Sequence, residues 1–247
     1  MANNIYHGVV RTRDQITPNM LRFSLESEAL SDFPDGFEGG YVKLVFPRPE
    51  AKRPAMRSYT VRSFDRGARQ VTLEMVTHGD LGPAGRWAER AKLGDSIVFA
   101  GPGPCRSADP SADWFLLAGD MTALPAISVQ LENLPPNAVG DAVIEVISDE
   151  DRRKIIRPDG IEVHWITNPE PARPNSLLAD AVMNLPWRSG RVSAWIASEF
   201  ANARALRQYM RHDRAVDRDS LYVSCYWKIG DTDEGMKAAK GSDSESW

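Results

Sequence analysis

Near residue 105 the spacing of apolar residues changes its rule, and that change confines the chain to two differently built halves. Before it, short alternating runs are broken by Gly, Pro and charged turns. They are Tyr41-Val42-Lys43-Leu44-Val45-Phe46, Ser58-Tyr59-Thr60-Val61-Arg62, Gln70-Val71-Thr72-Leu73-Glu74-Met75-Val76 and Ser96-Ile97-Val98-Phe99-Ala100. Side chains alternate faces along a strand, so such runs predict a sandwich or barrel. One helix interrupts them over 84–91, behind a Gly-Pro start.

After the change, strand-like runs at 114–118, 142–147, 161–166, 191–196 and 220–226 alternate with helix-like stretches at 124–134, 177–185 and 199–211. That alternation predicts a parallel five-stranded sheet flanked by helices. The expected domains are 1–107 and 112–247, joined by the Gly- and Pro-rich stretch 101–110. The tail after Lys228 is polar, and its last residues are expected to be disordered or loosely docked.

The 247 residues leave room for two domains, and the net charge of -4 argues against nucleic acid or an anionic membrane as partner. Met1-Ala2-Asn3-Asn4-Ile5 lacks the basic and apolar start of a secretory signal. No apolar run reaches the roughly 20 residues that a membrane span needs. Cys105 and Cys225 form no CxxC pair, which argues against a disulfide framework and a cysteine metal site. A cytoplasmic protein without membrane insertion is expected.

Three constellations carry chemistry. In Arg57-Ser58-Tyr59-Thr60, alternation places Arg57 and Tyr59 on one surface. A fixed guanidinium suits a diphosphate, an aromatic ring can stack on a planar cofactor, and a hydroxyl can bond a ring nitrogen. The run from His78 through Gly82-Pro83-Ala84-Gly85 to Trp87 puts small residues at a helix start, where backbone N–H groups can converge on phosphate. Leu117-Ala118-Gly119-Asp120-Met121-Thr122 follows a buried strand and opens a helix, where an α/β sheet receives a nucleotide. Taken singly, each also reads as ordinary strand or turn chemistry. After the second α/β strand, Ser148-Asp149-Glu150-Asp151-Arg152-Arg153-Lys154 mixes the acids that suit a free ribose hydroxyl with the bases that suit a 2′-phosphate. NADH and NADPH therefore both stay open.

In this order the motifs resemble the ferredoxin-NADP reductase superfamily and, within it, the siderophore-interacting protein family of FAD-dependent ferric-siderophore reductases. Further matching segments are Gly94-Asp95 before Gly101-Pro102, Thr122-Ala123-Leu124-Pro125-Ala126, Trp195 with Ala197 and Glu199, and Tyr226-Trp227-Lys228 with Gly230. The resemblance implies an N-terminal antiparallel Greek-key β-barrel that binds FAD, followed by an α/β domain for NADH or NADPH. It implies that Arg57 holds the FAD diphosphate, that Tyr59 stacks on the flavin with Ser58 and Thr60 beside it, and that His78 contacts the nucleotide. Gly82, Pro83, Ala84 and Gly85 would form the phosphate turn ahead of Trp87. Gly119, Asp120, Thr122 and Trp227 would lie where flavin and nicotinamide meet.

The resemblance makes Lys43 and Lys228 candidates for drawing in an anionic ferric siderophore; Lys52, Arg53, Arg57 and Arg62 are further positive residues for such a funnel, although Lys52 and Arg53 read first as an ordinary solvated loop. The family usually has an acid at Met121 and glycine at Ser198. The implied reaction passes electrons from NAD(P)H, or from ferredoxin, through FAD to siderophore-bound Fe(III). No side-chain triad is expected, because the flavin carries the chemistry. Two other readings share most of these motifs: a flavin reductase with a protein or free-flavin acceptor, and a non-catalytic siderophore-binding flavoprotein.

Overall fold

The computed structural model describes residues 4–48, 50–51, 53–77, 82–104 and 106–230. The described chain divides into two compact units: 4–107 with 125–130 and 150–154, and 108–124 with 131–149 and 155–230.

The first unit is a closed antiparallel barrel. Its strands are β1 (Asn4–Thr17), β2 (Met20–Glu26), β3 (Tyr41–Phe46), β4 (Ala55–Asp65), β5 (Gln70–Val76) and β6 (Ser96–Gly103). They run in the Greek-key order β1-β2-β5-β4-β3-β6, and β1 closes on β6 through pairs from Asn4↔Gly101 to Val9↔Ser96. Period-two alternation builds the core: Val42, Leu44 and Phe46 of β3 and Val71, Leu73 and Met75 of β5 all point inward and are buried. Along the closing seam the ring of Tyr6 stacks on Phe99 at 5.1 Å and meets the edge of Phe33 at 5.8 Å.

Strand β6 runs on through Gly103, so 101–103 belong to the barrel and not to the expected connection. The reason is steric. A Cβ at Gly103 would lie 2.1 Å from the Tyr41 ring, so glycine lets the ring of β3 lie directly on the β6 backbone.

Helix α1 (Pro83–Arg90) starts with proline at a position where no N–H is needed. It buries Ala84 and Ala88, and Trp87 packs on the barrel against Phe23 at 5.0 Å and Phe46 at 6.5 Å. Arg13 of β1 donates to the carbonyls of Ala88 and Glu89, satisfying acceptors at the helix C-terminus with a positive charge.

The same unit holds a buried carboxylate. Glu74 of β5 accepts from Arg22 Nη2 at 2.5 Å and from Arg153 Nη2 at 2.7 Å, with Arg62 Nε at 3.8 Å. Burial alone would raise its carboxyl, but Arg153 and Arg22 reverse that and hold it below its ordinary value. Asp151, fully buried, accepts from the Thr17 hydroxyl, the Asn19 N–H and the Asn19 amide.

The second unit is a parallel sheet. Its strands are β7 (Trp114–Gly119), β8 (Val139–Val146), β9 (Gly160–Thr167), β10 (Val192–Glu199) and β11 (Leu221–Trp227), in the order β11-β10-β7-β8-β9. Every residue of β7 and β10 is buried, as expected for central strands covered on both faces. Helices α2 (Leu124–Glu132), α3 (Leu177–Met183) and α4 (Phe200–Gln208) connect them. The expected helix over 199–211 is divided: Glu199 ends β10 and caps α4, and Tyr209–Asp213 form a wider π turn. Gly140 brings β8 against β7, since a Cβ there would sit 1.9 Å from the Phe115 carbonyl oxygen. Among the described residues no helix is long and apolar enough to cross a membrane.

Candidate functional site

In the barrel unit the hairpin β3–β4 sets the register. Lys43 pairs with Ser58 and Tyr41 with Thr60, whereas Leu44 pairs with Arg57 and Val42 with Tyr59. Paired residues share a face, so Lys43, Ser58 and Thr60 stand together on one side and Arg57 and Tyr59 on the other. Thr60 is buried, Ser58 is exposed, and Tyr59 packs partly against the core. Lys43 Nζ lies 5.6 Å from the Tyr41 ring centre, a cation–π distance.

Arg57 is brought to the start of α1. Its Nη1 donates to the Met56 carbonyl at 3.0 Å, and Nη2 lies 3.9 Å from where a Gly82 Cβ would be. Gly82 supplies no side-chain cap to the helix and Pro83 has no N–H. The first-turn N–H groups of Ala84 and Gly85 therefore face out of the helix end beside a guanidinium. A cradle of that kind fits a diphosphate. Trp87 serves this cradle indirectly, by seating the helix on the barrel. His78 and Lys52 lie outside the described residues, as do Cys105 and the tail beyond 230.

In the α/β unit the strand ends β7, β8 and β10 converge on three carboxyl groups. Asp120, just past β7, is 6 % exposed and accepts four hydrogen bonds. These come from the Thr122 N–H at 2.9 Å, the Thr122 hydroxyl at 2.5 Å, the Glu199 N–H at 2.7 Å and Trp227 Nε1 at 2.8 Å. Burial pushes its carboxyl up, against the pull of those donors. Glu199 accepts from the Ala201 N–H at 2.5 Å and the Ile229 N–H at 3.2 Å.

Glu145 of β8 completes the group. Its Oε1 accepts from Asn168 Nδ2 at 2.8 Å, while Oε2 is buried with no hydrogen-bond partner among the described residues. Burial raises its carboxyl, and the charges of Asp120 and Glu199 raise it further. Sequence reasoning passed over Glu145; the available signal was one carboxylate inside the apolar run Ala142-Val143-Ile144-Glu145-Val146.

Gly119, Asp120, Thr122 and Trp227 are thus gathered at one sheet edge. Lys228 follows directly, with Nζ 5.6 Å from the Phe200 ring centre. The side chain of Ser198 does not project outward: it is fully buried and its hydroxyl donates to the Glu199 carbonyl at 3.2 Å. Met121 is buried as well. Of the ribose-reading candidates, Asp151 and Arg153 are engaged with Thr17, Asn19 and Glu74.

Comparison with known proteins matches both halves of the chain. The model described as siderophore-interacting FAD-binding domain matches residues 9–54 and 48–105, and that described as siderophore-interacting protein matches 112–230. An uncharacterized protein of Mycobacterium tuberculosis is 38% identical, over 97% of this chain and 96% of its own length. The ferric vibriobactin reductase ViuB of Vibrio cholerae is 33% identical over 89% of this chain and 88% of its own. The crystal structure of the siderophore-interacting protein SipS from Aeromonas hydrophila superposes with a TM-score of 0.87 at 30% identity, covering 98% of this chain and 99% of SipS.

Proposed function

The chain belongs to the siderophore-interacting protein family and carries that family's FAD-binding domain, and on this basis we propose that it is a cytoplasmic ferric-siderophore reductase. The observation that carries the proposal is the near full-length likeness to a ferric vibriobactin reductase. The Arg57–Gly82 cradle supports it, because it suits the diphosphate of the cofactor.

Held by these residues, FAD would supply the chemistry of two-electron hydride uptake from NADH or NADPH and single-electron release, which suits a one-electron acceptor such as Fe(III). The residues of the chain bind, orient and steer. Arg57 and the first turn of α1 hold the diphosphate, and Tyr59, on the same face of β4 as Arg57, offers a ring face; Thr60 is buried on the opposite face and is not beside that ring as the resemblance implied. Lys43 and Lys228 supply positive charge for an anionic iron complex. Siderophores hold Fe(III) through hard oxygen donors, so reduction to Fe(II) weakens the grip and releases the metal.

The test is spectroscopic. The purified protein loaded with FAD is mixed without oxygen with NADH, NADPH and then a ferric siderophore. Bleaching by a nicotinamide, followed by recovery with the iron complex, is the expected result. A protein that takes up no FAD ends the proposal. Bleached flavin that ferric siderophore fails to reoxidise, while free flavin or a protein acceptor does so, assigns the chain to another acceptor. Bleaching by reduced ferredoxin but by neither nicotinamide would keep the acceptor and change the donor.

A further inference from the structure

An open α/β sheet receives the phosphates of a dinucleotide on backbone N–H groups at its strand ends and helix starts. Here the chain spends those donors on itself. After β7 the Thr122 N–H goes to Asp120 Oδ1, the Ala123 N–H to the Asp120 carbonyl at 2.9 Å, and the Leu124 N–H to the Met121 carbonyl at 3.4 Å. Pro125 has no N–H to offer. After β10 the Glu199 N–H goes to Asp120 Oδ2 and the Ala201 N–H to Glu199 Oε2. Two carboxylates of the protein thus take donors that a diphosphate would use. Glu145 adds a third carboxyl, 7 % exposed and with one buried oxygen unpartnered among the described residues.

We propose that this edge does not read the diphosphate, and that the protein takes its reductant by the dihydronicotinamide end alone. Its substrate class is then 1-substituted dihydronicotinamides in general, mononucleotide and dinucleotide alike. The inference rests on the reading that a reduced nicotinamide reduces the flavin. Carboxylates that already accept these N–H groups also repel a diphosphate, whose charge has the same sign. The absence of a glycine-rich fingerprint at Gly119-Asp120-Met121-Thr122 accords with a turn that leaves phosphates unbound.

Two measurements decide it, the first without any redox step. The FAD-loaded protein is titrated calorimetrically with ADP-ribose and 2′-phospho-ADP-ribose, which carry the diphosphate but no nicotinamide. No binding tighter than about 1 mM is expected, and a Kd below about 0.1 mM for either overturns the proposal. The second compares anaerobic flavin bleaching by reduced nicotinamide mononucleotide, NADH and NADPH. Second-order rate constants within about threefold are expected, and a preference above about thirtyfold for a dinucleotide overturns the proposal.

If no nicotinamide bleaches the flavin, the donor assigned above is wrong, and the ADP-ribose titration still shows whether this edge reads diphosphate. Asp120→Ala frees the N–H groups of Thr122 and Glu199, so it is expected to tighten ADP-ribose at least about tenfold. A folded D120A protein with unchanged affinity would also count against the idea.

Discussion

Glu74 offers the sharpest test of how the barrel unit is held together. Its side chain is fully buried, while those of its partners Arg22, Arg62 and Arg153 stay 39%, 20% and 17% exposed. Glu74→Gln keeps the shape and removes the charge. At an effective dielectric of about 20, each close pair is worth about 4 kcal/mol, so Arg22 and Arg153 together contribute about 8 kcal/mol of attraction. Desolvation of the buried carboxylate takes back several kcal/mol, leaving a net loss on removal of about 3–5 kcal/mol. In a chain of this size that corresponds to a fall in Tm of roughly 6–20 °C.

The pH dependence fixes the cause. The carboxyl of Glu74 is depressed in the folded state, so its contribution is present above the unfolded value and is lost as pH falls through the folded one. Scanning calorimetry of both proteins should therefore show a wide gap at neutral pH that narrows on acidification below the ordinary value of 4.5. A Tm loss under about 3 °C at neutral pH, or a gap that stays constant into acid, would refute the reasoning.

Three other outcomes can be checked. Arg57→Ala removes the charge beside the α1 start and should weaken FAD retention at least about tenfold with the fold intact, read by equilibrium dialysis and far-ultraviolet dichroism; undiminished FAD binding would remove Arg57 from the cradle. Glu145→Gln should gain stability over the parent as pH rises above 4.5. A raised carboxyl contributes fully below its unfolded value and loses that contribution as it ionises in the fold, whereas the amide does not ionise. Equal melting curves at every pH above 4.5 would show that burial does not raise the Glu145 carboxyl. Lys43→Ala and Lys228→Ala together should raise KM for an anionic ferric siderophore and flatten its salt dependence, with little change in flavin bleaching by nicotinamide; an unaltered KM would place the iron complex elsewhere.

The barrel and the parallel sheet were legible because alternation and breakers agree. The runs 41–46 and 70–76 coincide with β3 and β5, each clean in period and bounded by Gly, Pro or polar turns. The long β1–β2 hairpin was harder to see. Beyond Val10, Arg11, Arg13, Asp14 and Gln15 of β1 break the apolar alternation, and its inward set reduces to Tyr6, Gly8, Val10 and Thr17. The helix expected from 199 was misplaced at its start because Glu199 is both the last residue of a strand and the cap of the next helix.

At the site, Arg57 and Gly82 were candidates from two separate motifs, a strand Arg-x-Tyr and a Gly-Pro helix start; that Arg57 Nη2 comes within 3.9 Å of a Gly82 Cβ position was not in the sequence. Glu145 and Glu74 were not candidates. A single carboxylate in an apolar strand is recognisable as buried only when its partners, Asn168 in one case and Arg153 in the other, arrive from distant positions.

The seam between β1 and β6 also has a meaning for how the protein is made. It pairs Asn4 with Gly101, residues nearly a hundred positions apart, and Tyr6 finds Phe99 across it. During synthesis the first strand must wait, one edge unpaired, until the sixth has left the ribosome. Contacts of such sequence separation are slow to form, and an open strand edge invites pairing with other chains.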